Sequence, residues 1–171
     1  MKNKSGTIAQ GALTAALYII LTLISNSFGL ASGIVQIRLS EALTMLPIFI
    51  PSAVPGLFVG CFLSNLITGC AVYDVIFGSL ATLIGAFGTR RVWKLCAGRF
   101  DGRLGKILAG IPPIVSNTVM IPWILSAVYH FEGSVFYFTV TVFLGEVLSA
   151  GVGGQLLAGA LEPYREKLGW K

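Results

Sequence analysis

The chain has few charged residues. Asp, Glu, Lys and Arg make up 11% of its 171 residues, whereas a soluble domain carries about 25%. Aliphatic, aromatic and sulfur-containing residues (Ala, Val, Ile, Leu, Met, Phe, Trp, Tyr and Cys) make up 55% of the chain, and the mean hydropathy is +0.84. This shortage of charge excludes an ordinary soluble domain and predicts an integral membrane protein.

Motifs for catalysis and metal binding are also lacking. The three cysteines form no CxxC pair, and the single histidine, His130, has no metal-ligating neighbour in sequence. The stretch GRFDGRLGK fails the phosphate-loop pattern, because its glycines are misplaced and Ile107 stands where Ser or Thr is needed. Neither GxSxG nor HExxH occurs. We therefore expect no enzyme, no ATPase and no cofactor or metal in this chain.

Long apolar runs predict six membrane helices in one all-α transmembrane domain, residues 1–171. The first run ends in SNSFG rather than in a cleavage site, so we interpret it as a retained helix. Pro51 and Pro55 separate the short second and third segments. The predicted spans are about 8–28, 39–51, 54–69, 73–93, 107–129 and 134–161.

Basic residues cluster at both chain ends and between the fourth and fifth spans, in RRVWKLCAGRFDGRLGK. With six spans, the positive-inside rule then predicts that both termini are cytoplasmic. Arg38 becomes the one basic residue on the outer side. The net charge of +5 therefore reflects membrane topology, and we expect no nucleic-acid partner.

Ionisable side chains at membrane depth cost roughly 2.5–3.5 kcal/mol on insertion, so they are functional candidates. Glu146 lies near the middle of the sixth span, and Asn117 lies at a comparable depth in the fifth. Glu41, Asn65 and Asp74 lie toward the outer ends of their segments. Two structural alternatives stay open: Asn117 satisfies carbonyls freed by flanking prolines, and Asp74 is a helix N-cap.

Aromatic residues, Trp123 and Tyr137 among them, cluster on the outer halves of the spans. They form either an interfacial belt or flat surfaces on which a planar ligand stacks. Together with the polar residues, they predict an outward-opening pocket walled by helices four to six and covered by the first outer loop. Carboxylates accept hydrogen bonds from N–H donors and grip a guanidine-like edge with two bonds. We expect a small, planar, N–H-rich ligand such as a purine-like base, neutral or cationic.

The charges of Arg38 and Glu41 lie three residues apart at the outer end of the second span. One interpretation is an ion pair on one helix face that caps the segment. The other is that the pair anchors the outer loop as a lid, with Glu41 free to contact the ligand.

Ala12 and Ala16 form an AxxxA pattern on the cytoplasmic half of the first helix. Small residues four apart let another helix approach closely. They are therefore either a docking surface for a partner subunit or part of the internal packing.

Three blocks over about residues 38–86 carry a resemblance to a known family: RLSEALTMLP, PGLFVGCFLSN and DVIFGSLATLIGA. They resemble the QueT family, substrate-binding S-components of energy-coupling factor (ECF) transporters. The resemblance implies a six-helix S-component-like bundle in the plasma membrane of a prokaryote. It also implies a 7-deazaguanine substrate, such as preQ1, preQ0 or queuine.

The same resemblance implies partners. These are a transmembrane coupling subunit, which docks on Ala12 and Ala16, and two ATPase subunits, which use ATP and magnesium. The surrounding lipid is a further partner. Three rivals stay open: an S-component for another vitamin-like ligand, a stand-alone secondary carrier of a nucleobase-like compound, and a structural or assembly subunit that binds no small molecule. The absence of a visible internal repeat weakens the second rival, since such carriers are commonly built from two halves.

Overall fold

The computed structural model describes residues 4–30, 36–129 and 133–167, and these residues contain helices and connecting turns but no strand. His130 and Glu132 of the last outer turn lie outside the described residues, as does part of the predicted lid, 31–35. The helices are α1 Lys4–Ser27, α2 Ala53–Ile67, α3 Val72–Cys96, α4 Gly102–Ala109, α5 Ile111–Ala127, α6 Val135–Glu146 and α7 Gly154–Leu161.

Three further helical stretches have other geometries. A 3₁₀ helix, Leu39–Ile48, precedes α2 and is called the 3₁₀ segment below. A π-helical segment, Val147–Gly153, joins α6 to α7, and a 3₁₀ turn, Glu162–Tyr164, follows α7.

Each predicted apolar run contains a helix, but the runs differ in length. Within the described residues, four helices are long and apolar enough to cross a membrane: Lys4–Ser27, Val72–Cys96, Gly102–Ala127 and Val135–Tyr164. The runs predicted at 39–51 and 54–69 form only short apolar helices, Leu39–Ile48 and Ala53–Ile67. At about 2.0 Å per residue for a 3₁₀ helix and 1.5 Å for an α-helix, neither reaches the roughly 30 Å of a hydrocarbon core.

Many polar side chains lie inside the bundle, and many large apolar side chains face outward. Thr14, Thr22, Ser40, Asn65 and Glu41 are buried, whereas large apolar side chains are exposed along the long helices. One apolar core surrounds Tyr18 and the 3₁₀ segment, and a second joins α5 to α6. This arrangement suits a lipid environment, because the exposed apolar surface needs no protein partner there.

Glycines allow α1 and α2 to pack closely. A Cβ added at Gly60 would lie 2.8 Å from the Tyr18 Cβ, and one added at Gly56 would meet the Gly11 carbonyl oxygen. Gly56 and Gly60 thus form a small-xxx-small contact, which brings helix backbones together. The contact turns Tyr18 into the bundle, where its side chain is fully buried.

The basic segments meet at one end of the bundle, here called the basic end. Gln10 of α1 accepts a hydrogen bond from Ser52, and Arg90 donates to the Pro47 and Ile48 carbonyls at 2.9 and 3.0 Å. Lys106 lies 3.0 Å from Glu162. The chain ends and the predicted inner turns therefore share one end.

Candidate functional site

A small cavity lies where α3, α5 and α6 meet the 3₁₀ segment and the residues just before it. Its volume is about 20 Å³, room for roughly one water molecule. The residues that line it are Gln36, Arg38, Glu41, Gly78, Thr82, Asn117, Ile121, Val142 and Glu146. Of the residues predicted to bind substrate, Arg38, Glu41, Asn117 and Glu146 therefore meet at one place.

Glu41 is held from two sides. It lies in the first turn of the 3₁₀ segment and is 2% exposed. The Tyr18 hydroxyl donates a hydrogen bond to its Oε1, and the Asn117 amide donates to its Oε2 at 3.5 Å. Both carboxylate oxygens have donors, so Glu41 is a fixed wall of the cavity.

Glu146 is less well satisfied. It is the last residue of α6, immediately before the π-helical segment, and is 9% exposed. Its Oε2 is buried without a hydrogen-bond partner in the described part of the chain. π-helical turns are rare and frequently lie at functional sites. An unsatisfied buried oxygen costs about 1–3 kcal/mol, so this atom is a candidate to accept from a ligand.

Arg38 does not pair with Glu41 as predicted, but turns toward α2 and α3. Its Nη1 donates to the Asn65 Oδ1 at 3.2 Å, and its Nη2 lies 4.0 Å from the Asp74 Oδ2. Arg38 precedes the helix in an extended conformation, with φ −105° and ψ 108°. The helix-face geometry assumed for the Arg38–Glu41 pair therefore does not apply, and that interpretation was wrong.

Asp74 is not the N-cap of α3, which was one of the two interpretations that the sequence left open. The N-cap of α3 is Ala71, and Asp74 lies in the first helical turn. The Tyr129 hydroxyl donates to the Asp74 Oδ2 at 3.1 Å and accepts from the Ala71 amide. Burial raises the pKa of Tyr129 to about 12, and the neighbouring Asp74 charge adds to the shift. The network of Arg38, Asn65, Asp74 and Tyr129 therefore ties the segment before the 3₁₀ helix to α2, α3 and the end of α5.

Asn65 supports this network from α2. It is fully buried, accepts from Arg38, and its amide donates to the Asp74 carbonyl at 3.4 Å. Asn65 and Asp74 therefore lie behind Arg38 rather than on the cavity wall. A Cβ added at Gly78 would lie 3.1 Å from the Asp74 Oδ1, so the glycine keeps this corner open.

The structure does not bring Trp123 and Tyr137 to the cavity. Trp123 is 64% exposed and lines an outer apolar groove of about 640 Å³ between α3 and α5. Tyr137 is 49% exposed and packs against Phe138 with ring centroids 5.8 Å apart. Their positions agree with the interfacial-belt interpretation, because both rings face outward.

Several residues at the site were not predicted: Tyr18 donates to Glu41, and the cavity lining also includes Gln36, Gly78, Thr82, Ile121 and Val142. Tyr18 carried a usable signal, because a tyrosine within a long apolar helix needs a partner for its hydroxyl. The sequence around Gln36 carried no such signal, because the position of this residue depends on loop geometry. Its backbone carbonyl packs against Gly145, in the space that a Cβ there would fill.

Ala12 and Ala16 are exposed on α1, while Gly11 and Ala15 face α2. The internal-packing interpretation thus fits Gly11 and Ala15 rather than the AxxxA pair. The pair is left as a flat, small-residue surface on the outside of the bundle.

The site suits reversible binding of a polar small molecule. It combines two carboxylates and an amide on packed helices with a guanidinium on the extended segment before the 3₁₀ helix. No group of three or more His, Cys, Asp and Glu side chains that could hold a metal ion occurs in the part of the chain that the structure describes.

Comparisons with known proteins give a family and a relative. A family model described as the QueT transporter matches residues 8–163. The queuosine precursor transporter QueT of Lactococcus lactis subsp. cremoris (strain MG1363) is 36% identical over 83 residues, 48% of this chain and 48% of the relative. The aligned part thus spans about half the length of that relative. No solved structure matches the chain.

Proposed function

We propose, on the premise that this chain belongs to the QueT transporter family, that it captures a queuosine precursor outside the cell for import. The family is one of transporters and not of enzymes. With its four membrane-length helices, the chain is a multi-pass plasma-membrane protein. The name of the Lactococcus relative supports the substrate class.

The observation that carries the proposal is the buried polar cluster of Glu41, Asn117 and Glu146 around a cavity. Polar groups this deep in an apolar bundle are costly, which makes them candidates for a binding role. A 7-deazaguanine base, preQ1, preQ0 or queuine, offers several N–H donors in one plane. Asn117 and Glu146 are the leading candidates to bind these donors, with Glu41 holding Asn117 in place.

Binding requires the cavity to widen. A space of about 20 Å³ holds roughly one water and not a bicyclic base. The wall formed by Gln36 and Arg38 is the natural part to move, because it belongs to an irregular segment rather than to a helix. In this proposal Arg38 anchors that segment over the base through Asn65 and Asp74.

The proposed orientation places the basic end in the cytoplasm. The basic clusters of the described chain meet there, as the positive-inside rule requires of a cytoplasmic face. The cavity network with Arg38 and Asp74 then lies toward the outside.

The energy for import is proposed to come from partners, because the sequence has no nucleotide-binding motif. The chain acts as the S-component of an ECF-type importer, with a coupling subunit and two ATPase subunits that use ATP and magnesium. Exposed Ala12 and Ala16 support a helix-docking surface on α1.

Thermal unfolding of the purified protein tests the substrate. Queuine, preQ1 and preQ0 are compared with guanine, biotin and riboflavin. A ligand at a hundred times its Kd stabilises by about 2.7 kcal/mol, so a true substrate shifts the melting temperature clearly. A shift with biotin or riboflavin and with none of the deazaguanines would overturn the substrate assignment and leave an S-component for another ligand.

Reconstitution into vesicles tests the energy source. Uptake of a deazaguanine is expected only with the coupling subunit, both ATPases and ATP. Ion-driven uptake by this chain alone would instead favour a secondary carrier.

A further inference from the structure

Carboxylates outnumber positive charges at the cavity. The Arg38 guanidinium lies 4.0 Å from the Asp74 carboxylate, so these two charges compensate each other. Glu41 and Glu146 line the cavity as well, and the described lining residues include no second basic side chain. One guanidinium is thus shared among three carboxylates, which leaves an excess of negative charge among the described residues at the cavity.

The two carboxylates are not equivalent. Glu41 accepts from Tyr18 and Asn117, whereas the Glu146 Oε2 is buried with no donor among the described residues. Two carboxylates at one small cavity repel each other when both are ionised, and a proton or a bound cation relieves that repulsion.

The surrounding titratable groups do not change this balance. Tyr18 faces the pair from α1, and Cys61 of α2 lies behind Thr82, which donates to its sulfur at 3.4 Å. Tyrosine and cysteine are neutral at pH 7 when unperturbed. Asp74 of α3 is already matched by Arg38, and α5 contributes the uncharged Asn117. The remaining negative charge is therefore available to a ligand.

We infer that the cavity selects a cationic ligand, whose positive charge binds to Glu146 in competition with protons on the Glu41–Glu146 pair. This inference rests on the proposed function and adds to it which form of the base is preferred. It predicts that a base with a protonated amine arm binds better than its neutral isostere. It also predicts that only the cationic ligand loses affinity as the pH falls, because the proton and the cation occupy the same negative charge.

Two deazaguanines provide the matched probes. preQ1 carries an aminomethyl group that is protonated near neutral pH, and preQ0 carries an uncharged nitrile at the same position. Calorimetric titration of the purified protein is run with each ligand from pH 5 to pH 8. The preQ1 affinity is expected to fall on acidification by up to about tenfold per pH unit, the limit for one competing proton. The preQ0 affinity is expected to change by less than about threefold over the whole range.

Glu146→Gln is the decisive variant, because it removes the charge and keeps the shape. It is expected to weaken preQ1 by at least about tenfold more than preQ0, because the glutamine oxygen still accepts an N–H of the base but carries no charge for the amine arm, and to abolish the pH dependence of preQ1 binding. Glu146→Asp retains the charge and is expected to retain the pH dependence even if its affinity is lower. Glu166→Gln, at an exposed carboxylate, is the matched control and is expected to behave as the parent protein.

Parallel pH profiles for the two ligands would overturn the inference, as would an unchanged preQ1-to-preQ0 ratio in Glu146→Gln. Both of these outcomes leave the proposed function standing. Failure of preQ1, preQ0 and queuine to bind at any pH would overturn the proposed function itself. Melting curves of each variant, recorded without ligand, separate lost binding from lost folding.

Discussion

The Tyr18 hydroxyl of α1 donates a hydrogen bond to the carboxylate of Glu41, 23 residues further along the chain. Both side chains are buried, and the bond joins the first helix to the 3₁₀ segment. Because Glu41 in turn accepts from Asn117, α1 is connected to the cavity wall through two hydrogen bonds. Although α1 does not line the cavity, it therefore fixes the Glu41 carboxylate of the cavity wall.

Tyr18→Phe should destabilise the protein and weaken ligand binding. The change removes one donor and leaves a buried carboxylate oxygen unsatisfied, which costs about 1–3 kcal/mol. Chemical unfolding and ligand titration measure the two effects. Tyr164→Phe, at a tyrosine that is 53% exposed, is the control and should change neither. A variant as stable as the parent would mean that the Tyr18–Glu41 bond contributes nothing.

Gly60→Ala should loosen the contact between α1 and α2. Its Cβ would lie 2.8 Å from the Tyr18 Cβ and 3.0 Å from the Ala15 carbonyl oxygen, and such overpacking costs about 1–3 kcal/mol. Gly159→Ala is the matched control, because a Cβ there meets nothing within 4 Å. That control should leave the stability of the protein unchanged or raise it by up to about 1 kcal/mol, since alanine is more stable than glycine within a helix. Equal melting temperatures for the two variants would contradict the close packing.

Arg38 and Asp74 should be energetically coupled. A double-mutant cycle with Arg38→Ala and Asp74→Asn should give a coupling energy of about 0.5–3 kcal/mol in ligand binding, because the side chains share one network. Arg38→Ala alone should weaken binding while the protein still folds, as expected for an anchor of the segment over the ligand. Additive effects of the two changes on the binding free energy would refute the coupling.

Leucine at Ala12 and Ala16 should block assembly without affecting ligand binding. Both positions are exposed on α1 and lie outside the cavity lining, so larger side chains there obstruct only an approaching helix. Co-purification with the coupling subunit measures assembly, and ligand titration measures the site. Ala127→Leu, at another exposed alanine, should assemble normally. Normal assembly of the Ala12 and Ala16 variants would place the partner elsewhere.

The helices could be predicted because their signal is local. Long apolar runs bounded by prolines and polar turns give the helices to within a few residues, as for Val72–Cys96 against the predicted 73–93. The 3₁₀ geometry of Leu39–Ile48 was not predictable in this way. It depends on Pro47 and on Arg90, whose guanidinium binds the carbonyls that end the segment from 42 or 43 residues away.

Part of the candidate site could also be predicted, because some of its residues are conspicuous in the local sequence. Glu146, Asn117 and Glu41 stand out because a buried polar group in an apolar run is rare in any context. Their common cavity depends on helix packing, and the partners of Arg38 depend on its extended backbone. Trp123 and Tyr137 were placed at the ligand by residue type alone, and type does not tell which way a ring points on a helix.

The π-helical segment after Glu146 separates the two halves of the last long helix. A π turn holds one residue more than the corresponding α turn, and one residue on an α-helix corresponds to a rotation of about 100°. Deleting a single residue within Val147–Gly153 would therefore rotate α7 relative to α6. The rotation would move Gly154 of α7 away from Met45, on which it now packs. The last long helix, Val135–Tyr164, thus consists of two parts with separate orientations: α6 is oriented by the cavity and α7 by the basic end. The extra residue of the π-helical segment supplies the rotation between them.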